Sequence, residues 1–169
     1  MRVSVIGQRK VQESPELVFK VYETLFDLIE NQGADTFYFG SKTLFSTLCL
    51  NAVLELQKLY PSVRTVYVRA TCKNLEKSYK DCLLETDDAA YFPTSVRDFK
   101  NLNNELRDVA MIEACDVLLT YCDPSYRSPR KTPTNKTMAP IEATKKSDSG
   151  AQMAVDFARK RKKRIINLF

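Results

Sequence analysis

Arg2-Val3-Ser4-Val5-Ile6-Gly7 is an apolar, β-branched run that stops at a glycine, and Glu13-Ser14-Pro15-Glu16 follows within a few residues. The first stretch has the length of a buried strand and is too short for a helix. The second is a helix start. Ser14 is a cap residue, and Pro15 suits the first helical position, where its missing N–H costs nothing. Leu17, Val18, Val21, Tyr22, Leu25, Leu28 and Ile29 then recur at helical spacing, and Asn31-Gln32-Gly33 closes the helix.

The same succession repeats outward from there. Residues 35–39 read as a second strand, with Gly40-Ser41 behind it. A helix follows, presenting Leu44, Phe45, Leu48, Cys49, Ala52, Val53, Leu56 and Leu59 on its inner face and ending at Tyr60-Pro61. Residues 64–70 form a third strand, 74–84 a helix, and the stretch up to Pro93 is irregular. Residues 101–114 are helical, with Leu102, Leu106, Val109 and Ile112 facing the core, and 116–121 are a fourth strand. A loop over about 122–147, functional or mobile, is rich in Pro, Ser, Thr and Lys and too long for a routine connection. A last helix from Ser149 to about Arg161 delivers a final strand at 164–169. This alternation predicts one α/β domain over residues 1–169, a Rossmann-like three-layer fold with a mostly parallel sheet.

Composition narrows the chemistry. The 169 residues are 44% apolar and 28% charged, as in ordinary globular domains, and no apolar run has the length of a signal peptide or a membrane span. A cytoplasmic protein without a membrane partner is the expectation. Five cysteines, an odd number without a Cys-x-x-Cys pair, speak against a disulfide framework or a zinc site, and no cofactor is expected. Histidine is absent, which removes Ser–His and Cys–His nucleophile pairs and histidine-ligated metals. The net charge of +5 is concentrated at 159–164 and 127–146. Cations suit a helix C-terminus, and without interleaved aromatic residues or a reader motif a nucleic-acid partner is disfavoured.

In parallel sheets of this kind, ligands bind beyond the carboxyl ends of the strands, where the strand order reverses. The candidates there are Gly7, Gln8 and Arg9 after the first strand and Gly40 and Ser41 after the second. Ala70 and Thr71 follow the third strand, Tyr121 and Cys122 the fourth. Ser147-Asp148-Ser149-Gly150 opens the last helix, where free amides and the helix dipole favour a phosphate. An ordinary N-cap by Ser147 or Ser149 is the competing reading. Arg107 either bonds helix ends or the Asp116 region, or touches a ligand phosphate; its planar fork of donors suits both. Arg9, nearer the edge, is the better anion contact.

Arg107-Asp108-Val109-Ala110-Met111 followed by Asp116-Val117-Leu118-Leu119 resembles the arginine–methionine–aspartate spacing of the Lonely Guy proteins, which are cytokinin-activating nucleotide hydrolases. Val5-Ile6-Gly7-Gln8-Arg9 and Arg164-Ile165-Ile166-Asn167 are similar to the wider SLOG superfamily, named for Smf/DprA and Lonely Guy. The resemblance implies a phosphate loop at Ser147-Asp148-Ser149-Gly150-Ala151, displaced by the long insertion. In Lonely Guy and the similar nucleoside deoxyribosyltransferases, a catalytic glutamate lies four residues after the last loop glycine. Here that position is Ala154, and the loop's glycine pair is reduced to Gly150. Alanine neither attacks a sugar nor stabilises an oxocarbenium charge.

The resemblance therefore implies a sensor or accessory protein that binds a nucleotide or an ADP-ribose-like ligand without robust hydrolysis. The alternative is a nucleotide N-glycosidase or phosphoribohydrolase using a displaced carboxylate such as Glu113, Asp123 or Asp148. No residue is assigned a catalytic role, and self-association into a homo-oligomer stays open.

Overall fold

The computed structural model describes residues 1–69, 86–90, 104–126 and 149–169. The helix expected at 74–84 lies outside them, as does most of the loop expected over 122–147. The described elements are β1 (Arg2–Gly7), α1 (Pro15–Glu30), β2 (Thr36–Phe39), α2 (Leu44–Gln57), β3 (Arg64–Val68), β4 (Asp88–Ala90), α3 (Asn104–Ala114), β5 (Val117–Tyr121), α4 (Gly150–Lys160) and β6 (Arg164–Asn167). They build a Rossmann-like α/β fold with an all-parallel sheet in the order β4-β3-β2-β1-β5-β6. From β1 the chain grows outward through β2 and β3 to β4. It then returns to add β5 and β6 on the other side of β1.

β4 departs from the irregular stretch expected before Pro93. Its three residues pair Val66 with Asp88 and Val68 with Ala90, too short a run to show a periodic signal. Asp87 anchors it: its carboxylate accepts from Thr65 N at 2.7 Å, Thr65 Oγ1 at 3.0 Å and Gln57 Nε2 at 2.7 Å.

Alternation along the strands divides the core between two faces. Val3 and Val5 of β1, Phe37 and Phe39 of β2, and Val117 and Leu119 of β5 pack with α1 and α2. Ile6, Tyr38, Val66 and Leu118 point the other way, to α3 and α4. Each fully buried Phe or Leu of this kind is worth about 1.5–3 kcal/mol relative to exposure. Ser14 caps α1 as expected, accepting from Leu17 N at 3.2 Å, with Pro15 at the first position. Gly33 closes it at φ +69°, a conformation that costs glycine least.

Some residues expected inside lie outside. Val18 and Tyr22 of α1 are about two-fifths exposed, and Leu59, beyond the end of α2, is 68% exposed. The helical apolar stripe of α1 is wider than the strip that touches the sheet. On α2, Leu50 is buried in addition to the expected Phe45, Cys49, Val53 and Leu56. No described helix is long and apolar enough to cross a membrane.

Candidate functional site

The strand order reverses between β1 and β5, so the crevice between their carboxyl ends is the place where flanking helices leave room for a ligand. Three sequence-expected segments meet there: the Gly7-Gln8 turn after β1, Tyr121 and Cys122 after β5, and the start of α4. Each also makes contacts within the chain.

Gly7 is a glycine because a helix approaches it. A Cβ there would lie 2.6 Å from Phe45 Cδ1 and 2.7 Å from Phe45 Cβ, at the start of α2. Gly40 is similarly occupied, since a Cβ would lie 2.5 Å from Arg107 Nε and 2.6 Å from Met111 Sδ. Close approach is needed at both positions, and the approaching group is the protein's own side chain.

Gln8 is buried, and both ends of its side-chain amide are engaged. Its Oε1 accepts from Asp123 N at 2.9 Å, its Nε2 donates to Lys10 O at 2.8 Å, and its backbone N–H donates to Tyr121 O at 3.0 Å. It ties the two loops that border the crevice. Arg9 stands exposed just beyond, with no ion pair among the described residues, and is available to an anion. Ser41 is half-buried after β2, one strand away from the crevice.

Arg107 is a buried structural arginine. Its Nε and Nη2 donate to Asp108 Oδ1 at 3.0 and 2.8 Å, and its Nη1 donates to Asn104 Oδ1 at 3.1 Å. Asp116 is not its partner; that carboxylate accepts from Arg2 N at 2.8 Å.

At α4 the cap reading and the anion reading coexist. Ser149 caps the helix, its hydroxyl accepting from Gln152 N at 3.1 Å. The amides of Gly150 and Ala151 belong to the first turn and have no intrahelical acceptor. Among the described residues nothing lies within 4 Å of a Cβ built on Gly150. Ser147 and Asp148 lie outside the described residues. Thr120, fully buried on β5, turns the same way as Leu118 and faces α4; its Oγ1 has no hydrogen-bond partner among the described residues.

Between α3 and α4 runs a cleft of about 270 Å³, reaching from Gly150 past Val109, Ile112 and Ala154 to Phe157. Ala154 lines it yet is only 4% exposed and belongs to the core against the sheet. The position that the resemblance equates with a catalytic glutamate is thus a packing position. Its small side chain lets α4 lie close, as do those of Ala151 and Ala158.

Two of the carboxylates considered as substitutes are engaged elsewhere, and the third, Asp148, lies outside the described residues. Glu113 accepts from Arg161 Nη2 at 2.7 Å, and Asp123 Oδ1 accepts from Ser125 N and Oγ at 2.7 and 2.6 Å.

Two contributors escaped the sequence reading. Asn167 of β6 clamps Cys122, accepting from its N–H and donating to its carbonyl, both at 2.9 Å. An asparagine in a strand was the available signal, since that residue is depleted there without a specific bond. Gln152 accepts from Cys122 Sγ at 3.4 Å. Burial, with Asp156 and Asp123 nearby, pushes the Cys122 thiol up, so it is held protonated rather than activated as a nucleophile. Among the described residues no group of His, Cys, Asp and Glu could hold a metal ion. No protein-family model matches this chain, and no curated protein matches it.

Proposed function

We propose that this chain is a SLOG-type binding protein for a nucleotide or an ADP-ribose-like ligand, acting as a sensor or accessory protein. The anionic group sits in the β1–β5 crevice at the start of α4. The observation that supports this reading most is α4's first turn at the point of strand reversal, with no described residue crowding a Cβ on Gly150. The buried Thr120 hydroxyl without a partner is a second polar group on the same side. The apolar cleft from Gly150 to Phe157 suits the uncharged part of such a ligand. Alanine at position 154 and the engagement of Glu113 and Asp123 favour binding over hydrolysis.

The test is calorimetric titration with nucleoside mono- and diphosphates and ADP-ribose, with chromatography for released base. Binding without turnover is expected. Gly150→Val should keep its fold, because nothing crowds that Cβ, and weaken binding about tenfold, a loss of roughly 1.4 kcal/mol. Base release at turnover rates would replace this reading with the glycosidase one. Unchanged affinity in Gly150→Val would leave Ser149 as a plain cap.

A further inference from the structure

Two arginines are buried in the described structure, and only one has a counter-charge. Arg107 is held by Asp108 and Asn104. Arg69, 7% exposed, makes no hydrogen bond or ion pair among the described residues, and its Nη1 is sealed from solvent without a partner. A guanidinium does not escape burial by losing its proton. An unpaired buried charge is among the costliest arrangements a fold can hold, so native structures pair such groups.

Its place in the sheet suggests what pairs it. Arg69 follows Val68 at the carboxyl end of β3. Phe39 pairs with Tyr67 as the last pair of the β2–β3 ladder, and Ser41 and Arg69 each follow two residues beyond it. Val66 and Val68 pack toward α3 and α4 while Tyr67 packs toward α1 and α2. Continued alternation turns Arg69 to the face on which α2 begins. There Gly40-Ser41-Lys42-Thr43 leads into the helix. Thr43 caps it, accepting from Ser46 N at 3.2 Å, and the amides of Leu44 and Phe45 have no intrahelical acceptor. The first turn of α2 carries no acidic residue, and Lys42 is exposed just before it. A buried cation leaves the end of β3, and a run with two hydroxyl residues and a surface cation leaves the end of β2 and leads to a helix N-terminus that begins over Gly7 of β1.

We propose that this corner is an oxyanion site that takes a phosphate group, with Arg69 as its buried cation and Lys42 and the α2 amides as its outer donors. The forked donors of arginine fit phosphate oxygens in pairs, and the helix end adds its dipole. Arg69 stands two strands, about 10 Å, from β1, whereas the first turn of α2 reaches Gly7, so the site extends toward the β1–β5 crevice without using α4.

The test uses inorganic phosphate and the whole chain, melted in phosphate and in chloride at matched ionic strength. At ten times its Kd, phosphate should raise the wild-type Tm by about 3–6 °C. Arg69→Met should lose that rise and melt at or above wild type in chloride, because an unpaired buried charge is gone. Lys42→Ala, an exposed change that leaves the fold intact, should need several-fold more phosphate for the same rise. Gly150→Val should keep the rise. The inference is overturned if phosphate leaves the wild type unmoved at high millimolar concentration, or if Arg69→Met keeps the rise. It is equally overturned if Arg69→Met melts far below wild type in chloride, which would mean a carboxylate within the protein already pairs the guanidinium. A rise lost in Gly150→Val but kept in Arg69→Met assigns the anion to the β1–β5 crevice. That result supports the proposed function and refutes this site.

Discussion

Replacing Ala154 by Glu tests both the fold and the resemblance. Ala154 is 4% exposed and packs with Val155, Ala158, Ile112 and Leu118 on the α3/α4 side of the sheet. A glutamate there must either bury a carboxylate without a partner, at about 3–5 kcal/mol, or push α4 off the sheet. The cleft beside it gives partial relief in space, but of the charged groups that line it two, Asp108 and Asp156, are carboxylates against the single cation Lys160. For a chain of this size each kcal/mol moves Tm by about 2–4 °C, so a fall of roughly 6–20 °C is expected by circular dichroism.

The pH dependence has a definite sign. Burial and the neighbouring carboxylates raise the folded pKa of the new group above its unfolded value of about 4.3. The penalty is therefore full above the raised folded pKa and disappears as pH falls below about 4.3. The gap from wild type should narrow when the melts are moved from about pH 8 to about pH 5, and Ala154→Gln, uncharged and of the same shape, should show no such narrowing. A variant that melts with the wild type and releases base from nucleotides would show that position 154 faces water and ligand. The reasoning from burial would then be refuted, and the equivalence with the catalytic glutamate restored.

Two further changes probe the frame of the site. Gly7→Ala places a methyl within 2.7 Å of two Phe45 carbons and should cost about 1–3 kcal/mol in urea denaturation; a neutral result would mean that α2 moves away freely. Burial alone would raise the Asp87 carboxyl, but the backbone N–H of Thr65, the Gln57 amide and the Thr65 hydroxyl together hold it below the usual aspartate range. The stability it contributes is present above about pH 3.9 and is lost as pH falls through its lower folded pKa, so Asp87→Asn should flatten the acid side of the urea-midpoint profile. A profile unchanged by the substitution would mean that these bonds do not hold β4 to β3.

Much of the fold was legible because its signals are local. Ser14-Pro15 at the start of α1, Gly33 at its end and Ser149 at the head of α4 act through bonds to residues three or four positions away, and a sequence displays those directly. β4 was not legible, because three residues carry no period and their stability comes from pairing with β3 and from Asp87. The exposure of Val18 and Tyr22 was hidden for a related reason. Helical spacing marks an apolar stripe, but only the packed sheet decides how much of it is covered.

For the site the division is sharper. The glycines, glutamine and arginines that gather at the carboxyl edge could be named from the sequence, since each strand ends where its apolar run ends. What they do there was decided by contacts between distant parts of the chain. Phe45 and Arg107 fill the space over Gly7 and Gly40, Asp123 and Lys10 engage both ends of the Gln8 amide, and the core claims Ala154. Arg69 shows the same limit from the other side, as an ordinary strand-end arginine in the sequence and a buried charge without a counter-ion among the described residues. Residue type and spacing set which groups reach an edge. Burial and pairing, which set what those groups can still bind, exist only once the layers have closed around them.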